Sequence, residues 1–153
     1  MKKYEFTGET KEIRLLFRTA TLHRIRATVA FGIVEVGDLG GWIEKEENLS
    51  HEGKAWVWGN AEVCGDAEVF SASHVLVIGA IGSRNDFTTF YRDKDNEITV
   101  KCGCFLGKID RFLEKVTQTH GDSKYALVYR AAVEVAKLQI DLSGEAPKDA
   151  DEE

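Results

Sequence analysis

Gly53-Lys54-Ala55-Trp56-Val57-Trp58, Gly59-Asn60-Ala61-Glu62-Val63-Cys64 and Gly65-Asp66-Ala67-Glu68-Val69-Phe70 are three successive copies of one six-residue pattern, G-x-A-x-V-x. The aliphatic position continues to Val75 and Ile81, and the small position to Ser73 and Gly79. A fixed short period of this kind predicts a parallel β-helix, in which the aliphatic residue fills the inside of each short strand and the small residue lets the chain turn without crowding. Ile43 and Leu49 keep the same spacing and extend the register backward, with a small insertion near His51 and Glu52. At roughly 18 residues per three-sided coil, the segment from Leu39 to Ile81 supplies only about two coils. So short a stack leaves open ends that need cover from flanking segments or a partner subunit.

Outward from the repeats, residues 1–36 read as short strands, with Ile25, Ala27 and Val29 on one face and Arg24 and Arg26 on the other. Gly37-Asp38-Leu39-Gly40-Gly41-Trp42 marks a tight, glycine-rich lead-in. On the other side, the β-rich runs Phe87–Arg92 and Glu97–Cys102 flank the turn signal Asp93-Lys94-Asp95-Asn96, which predicts a hairpin. Ile109, Phe112, Leu113 and Val116 then share one helical face, and Tyr125, Tyr129, Ala132, Ala136 and Ile140 share another, with Gly121 to stop the first helix and Asp122 or Ser123 to cap the second. These signals divide the chain into residues 1–82 (strands and repeats), 83–142 (hairpin and two helices) and a disordered acidic tail at 143–153.

Charge and cysteine usage exclude several classes. The net charge is −6, so non-specific nucleic-acid binding is not expected, although residues 1–30 carry seven Lys/Arg against three Glu. That basic stretch (Arg14, Arg18, Arg24, Arg26) either forms an anion patch or neutralises acidic surface nearby. No apolar run is long enough to cross a bilayer, the first residues lack the apolar core of a signal peptide, and three cysteines suit no disulfide framework, so a reducing cytoplasm is expected.

The lead-in Gly37-Asp38-Leu39-Gly40-Gly41-Trp42-Ile43, the step Asn48-Leu49-Ser50 and the tandem G-N-A-x-V units resemble a group of bacterial, phage and prophage proteins with short hexapeptide-type repeats. The stretch from Ile81 to Tyr91, Val100–Phe105 and the run from Thr119 to Tyr129 also look like segments recurring among phage-type members of that group. The resemblance implies a left-handed parallel β-helix and a mobile-element origin, without an agreed activity. The fold class expected is therefore mainly β with an α+β appendage: about two left-handed coils capped by N-terminal strands, then a hairpin and two helices. Hexapeptide acyltransferases share the repeat but usually carry longer helices, a protruding loop and a catalytic histidine, none of which is evident.

Three constellations carry chemistry. Ser83, Arg84 and Asn85 sit where the repeat ends, and an arginine beside exposed backbone N–H groups suits a carboxylate or phosphate, unless the turn merely satisfies itself. His120 falls between the helices, as a ligand or as a helix-terminal residue suited to the dipole. Cys102-Gly103-Cys104 places two sulfurs on one side of a strand; with His120, and His74 or Cys64, they are weak metal candidates, and core packing explains them as well. Trp56 and Trp58 flank Val57 and point outward, which calls for cover from the N-terminal strands or from a second subunit.

The function expected is a non-enzymatic phage-type accessory protein that counteracts a host defence system, by occluding a host protein or by sequestering a small anionic, nucleotide-like signal in the host cytoplasm. Ser83, Arg84, Asn85, His120, Arg24 and Arg26 would hold that ligand. A homo-oligomer is expected, and neither a cofactor nor a membrane is required. The competing class is an enzyme, either a hexapeptide-type acyltransferase or a Cys/His metal-dependent one.

Overall fold

The N-terminal alternation forms a long antiparallel hairpin in the computed structural model, which describes residues 2–143. Strand β1 (Tyr4–Arg14) pairs with β2 (Thr19–Ala27); β3 (Leu39–Ile43) adds antiparallel to β2, and the two-residue β4 (Glu62–Val63) adds parallel to β3. A second sheet is antiparallel throughout, in the order β5 (Val75–Ile81), β6 (Asp86–Arg92), β7 (Ile98–Cys102), β8 (Phe105–Lys108). Helices α1 (Ile109–His120) and α2 (Lys124–Gln139) follow. No described helix is long and apolar enough to cross a membrane.

The expectation of a left-handed parallel β-helix is wrong: the chain builds two four-stranded sheets whose neighbours are mostly antiparallel. The six-residue period is real in burial, because Ala55, Val57, Ala61, Val63, Ala67 and Val69 are all 2 % exposed or less and share one core with Ile43 and Leu49. A burial period states which side chains go inside. It does not state which strands pair. The parallel contacts of the repeat segment are confined to the β3–β4 pair and an isolated bridge between Leu49 and Val69. Of the last two aliphatic positions, Val75 still packs against the repeat core, whereas Ile81 packs against the core beneath the helices. The run Val75-Leu76-Val77-Ile78 is apolar on both faces because Val75 and Val77 pack against the repeat core and Leu76 and Ile78 against the other, and it pairs antiparallel with β6.

Two polar contacts explain the motifs around the repeats. Asn48, fully buried, spends its carboxamide on four backbone groups: Oδ1 accepts from the amides of Glu44 and Lys45, and Nδ2 donates to the carbonyls of Gly65 and Ala67. Gly41 brings β3 against the repeat segment so closely that a Cβ there would meet the carbonyl oxygens of Trp58 and Ala61. Trp56 is covered within the chain, by Tyr4 and Phe31 at ring separations of 6.5 and 5.3 Å, whereas Trp58 stays half exposed.

The two sheets meet across β6 and β7. Thr89, Tyr91, Thr99 and Lys101 face the repeat body, while Phe90, Ile98, Val100 and Cys102 face the helices. The Tyr91 hydroxyl donates to the Cys64 carbonyl at 2.8 Å, and the Glu62 amide donates to Thr89 Oγ1 at 3.0 Å. Glu62 itself lies between two ammonium groups, Lys101 and Lys11, each at 2.6 Å. Burial opposes its charge, yet the two lysines outweigh that and hold its carboxyl below the ordinary 4.5. On the other face, Ile109, Phe112, Val116, Ala126, Tyr129, Ala132, Val133 and Ala136 form the helical side of the second core. Tyr125, expected on that stripe, is instead half exposed. Apart from Ser143, the acidic tail expected at 143–153 lies outside the described residues.

Two stability predictions follow from these joints. Gly41→Ala is expected to cost about 1–3 kcal/mol in urea denaturation, since backbone rather than a flexible side chain must give way, whereas Gly59→Ala, with open space around it, is expected to be near neutral. Equal stabilities would show that β3 does not approach so closely. The depressed Glu62 carboxyl binds its proton more weakly folded than unfolded, so its contribution is complete above about pH 4.5 and is lost as pH falls through the folded value. Glu62→Gln should therefore destabilise by about 3 kcal/mol at neutral pH, leaving Lys101 buried without a counter-charge, and should flatten the acid limb of the stability profile. A variant with the parental pH profile would remove the ion bridge from the account.

Candidate functional site

Where β6, β7 and the two helices diverge, the second core opens into a cleft of about 190 Å³. Ile81, Phe105, Phe112 and Val116 make its apolar floor. Arg84, Lys115 and His120 stand on its wall together with Asp86, Thr88 and the two thiols of Cys102 and Cys104. Each element reaches the cleft for a local reason. The chain turns back between β5 and β6 with Gly82 at φ 80° and Asn85 at φ 51°, and the Asn85 amide donates to the Gly82 carbonyl at 3.2 Å. Gly82 is required twice over, by its left-handed backbone and because the Tyr129 hydroxyl occupies the place a Cβ would take. Ser83 and Arg84 are the corner residues of that turn and are exposed. Gly103, at φ 58°, makes the matching turn between β7 and β8, and Arg84 Nη1 lies 3.3 Å from the position of a Cβ there.

Tyr129 ties these pieces together. Its ring meets Phe112 edge-on at 5.7 Å and stacks with His120 at 5.7 Å and 28°. Burial pushes its phenol above the ordinary value; the neighbouring Cys102 thiol adds to this, and the Ser83 hydroxyl and amide act against it. Thr88, itself buried, donates its hydroxyl to Cys102 Sγ at 3.5 Å.

The sequence-derived ligand set divides on the structure. Ser83, Arg84 and His120 converge on the cleft, though His120 lies far from the other two in the chain. Asn85 shapes the turn without lining the cleft. Arg24 and Arg26 belong to the first sheet and are spent there: Arg24 reaches Glu9 at 3.3 Å and the Gly40 carbonyl, and Arg26 reaches Glu5 at 2.7 Å. Arg18 is likewise held by both oxygens of Glu44, at 2.7 and 2.9 Å. For these three arginines, neutralising acidic neighbours is the role the structure shows.

Cys102, Cys104 and His120 share the cleft, but among the described residues no group of three or more His, Cys, Asp and Glu side chains is placed to hold a metal ion. Cys64 is sealed among Leu15, Ala20 and Leu22, where burial pushes its thiol up to about 11. His74 is buried, and its Nδ1 accepts from the Phe70 amide.

Lys115, Phe105 and Tyr129 are the cleft residues the sequence reading misses. Lys115 and Thr119 stand one helical turn apart on the flank of α1 that leads to His120, a spacing that places all three at the same helix end. Electrostatics separates this cleft from a larger one of about 350 Å³ between the sheets, lined by Arg18, Asp66 and Lys108. There Arg18 is taken by Glu44, and Lys108 by Asp93, Asp95 and Glu97 at 3.0, 2.8 and 3.1 Å. Arg84 and Lys115 make no ion pair among the described residues. Neither a protein-family model nor a curated protein matches the chain.

Proposed function

We propose that this chain is a non-catalytic binding protein that takes a small anionic, nucleotide-like ligand in the cleft beside Arg84. In the phage or prophage setting suggested by its glycine-rich lead-in and repeats, such binding would sequester a signal on which a host defence system depends. The observation that carries the reading is that Arg84 and Lys115, which make no ion pair among the described residues, face a partly apolar cleft with one carboxylate, Asp86, in its lining, while the arginines of the first sheet and Lys108 are paired. Arginine grips a phosphate through two parallel N–H donors, and a lysine adds a second point charge. The floor of Ile81, Phe105 and Phe112 offers apolar area to a base or sugar, and the Ser83 hydroxyl offers a polar contact near it.

Isothermal titration against mono-, di- and cyclic nucleotides, with the uncharged nucleosides as controls, tests this directly. Phosphorylated compounds should bind and nucleosides should bind at least about tenfold more weakly. Arg84→Ala should weaken binding by about 1.5–3 kcal/mol, and Lys115→Ala by less. Arg24→Ala and Arg26→Ala should leave it unchanged. Nucleoside affinities equal to those of the nucleotides, or full affinity in Arg84→Ala, would exclude this cleft as the anion site.

A further inference from the structure

The cleft contains two of the three cysteines of the chain, in unequal surroundings. Cys102 closes β7, its sulfur accepting from Thr88 and neighbouring the Tyr129 phenol. Cys104 lies one residue past Gly103 in the turn to β8, is half-buried, and has no hydrogen bond through its sulfur among the described residues. Its backbone is fixed from outside the sheet, since its carbonyl accepts the Leu16 amide at 3.1 Å. Arg84 stands over the same turn, with Nη1 beside Gly103, and Lys115 lines the same cleft, as does one carboxylate, Asp86. A positionally fixed, unengaged thiol therefore shares a small cleft with two unpaired cations. Such surroundings draw in negatively charged reagents ahead of neutral ones.

Building on the reading of this cleft as an anion site, we propose that Cys104 is a modification site for anionic low-molecular-weight disulfides of the glutathione-disulfide class, and that the resulting adduct and the anionic ligand exclude one another. The Cys104 thiolate sulfur attacks one sulfur of the disulfide. A new S–S bond forms, the original S–S bond breaks, and the departing thiolate takes up the proton released by Cys104. Cys104 is oxidised, half of the reagent leaves reduced, and excess thiol reverses the exchange. An adduct on Cys104 and a nucleotide phosphate would both lie beside Arg84 in the same cleft, so the two compete for it. Sequestration would then be reversed under oxidising conditions.

The test uses the full chain, with intact-mass spectrometry to follow adducts of glutathione disulfide and of the neutral bis(hydroxyethyl) disulfide. One glutathione adduct is expected per chain, retained in Cys102→Ser and lost in Cys104→Ser. In an Arg84→Ala, Lys115→Ala double variant the glutathione reaction should slow about tenfold, while the neutral reagent reacts as with the parent. An adduct that persists in Cys104→Ser, or equal slowing with both reagents, would overturn the assignment. AMP binding is measured separately by calorimetry. Binding without protection of Cys104 overturns mutual exclusion and keeps the anion site; charge-selective modification without AMP binding overturns the nucleotide reading and keeps the modification site.

Discussion

Along β6 the side chains alternate between two cores, Thr89 and Tyr91 entering the one built by the repeat segment and Phe90 entering the one beneath the helices. β7 repeats the alternation with Thr99 and Lys101 on one side and Ile98 and Val100 on the other. A hairpin buried on both faces cannot shift by one residue without moving every side chain into the wrong core. That constraint fixes where the hairpin ends, and the hairpin ends are where the cleft forms. The turn carrying Arg84 precedes β6, and the turn carrying Cys104 follows β7. Helix α2 then closes the gap through Tyr129, whose hydroxyl leaves no room for a side chain at Gly82.

Charge placement follows the same division. Between the two sheets, charges are answered closely: Glu62 by Lys11 and Lys101, Arg18 by Glu44, Lys108 by three carboxylates. These groups hold the architecture together and have little left for a ligand. On the helical side Arg84 and Lys115 are unanswered among the described residues and sit beside apolar surface, where a charge is screened less than in open solvent. The larger cleft is thus structural in its electrostatics, and the smaller one keeps two cations without ion-pair partners among the described residues.

What the sequence discloses here depends on range. Local signals read correctly: the turn between Arg92 and Ile98, helix α1 with Gly121 at its end, and the burial of Val57, Val63 and Val69 all follow from residues close together in the chain. Strand pairing is a non-local choice, and the six-residue period does not encode it, so the same valines were compatible with a stacked coil and with the mixed sheet that forms. The site shows the same limit. Ser83, Arg84 and His120 stand out because they fall at turns and helix ends, where side chains escape packing. Arg24 and Arg26 stand out equally in composition, but the strand opposite them carries Glu5 and Glu9, and only the register of β1 against β2 brings those acids into reach. Lys115 looks like any exposed helical lysine until α1 is laid along the mouth of the cleft.

Amide chemical-shift mapping by NMR, during titration of the full chain with AMP and then with inorganic phosphate, addresses the central claim most directly. The account predicts that the largest shifts cluster at Ser83, Arg84, Gly103, Cys104 and the end of α1 from Lys115 to His120, residues united only by the cleft. Shifts centred on Arg24 and Arg26 of β2, or on Arg18 and Lys108 between the sheets, would contradict it.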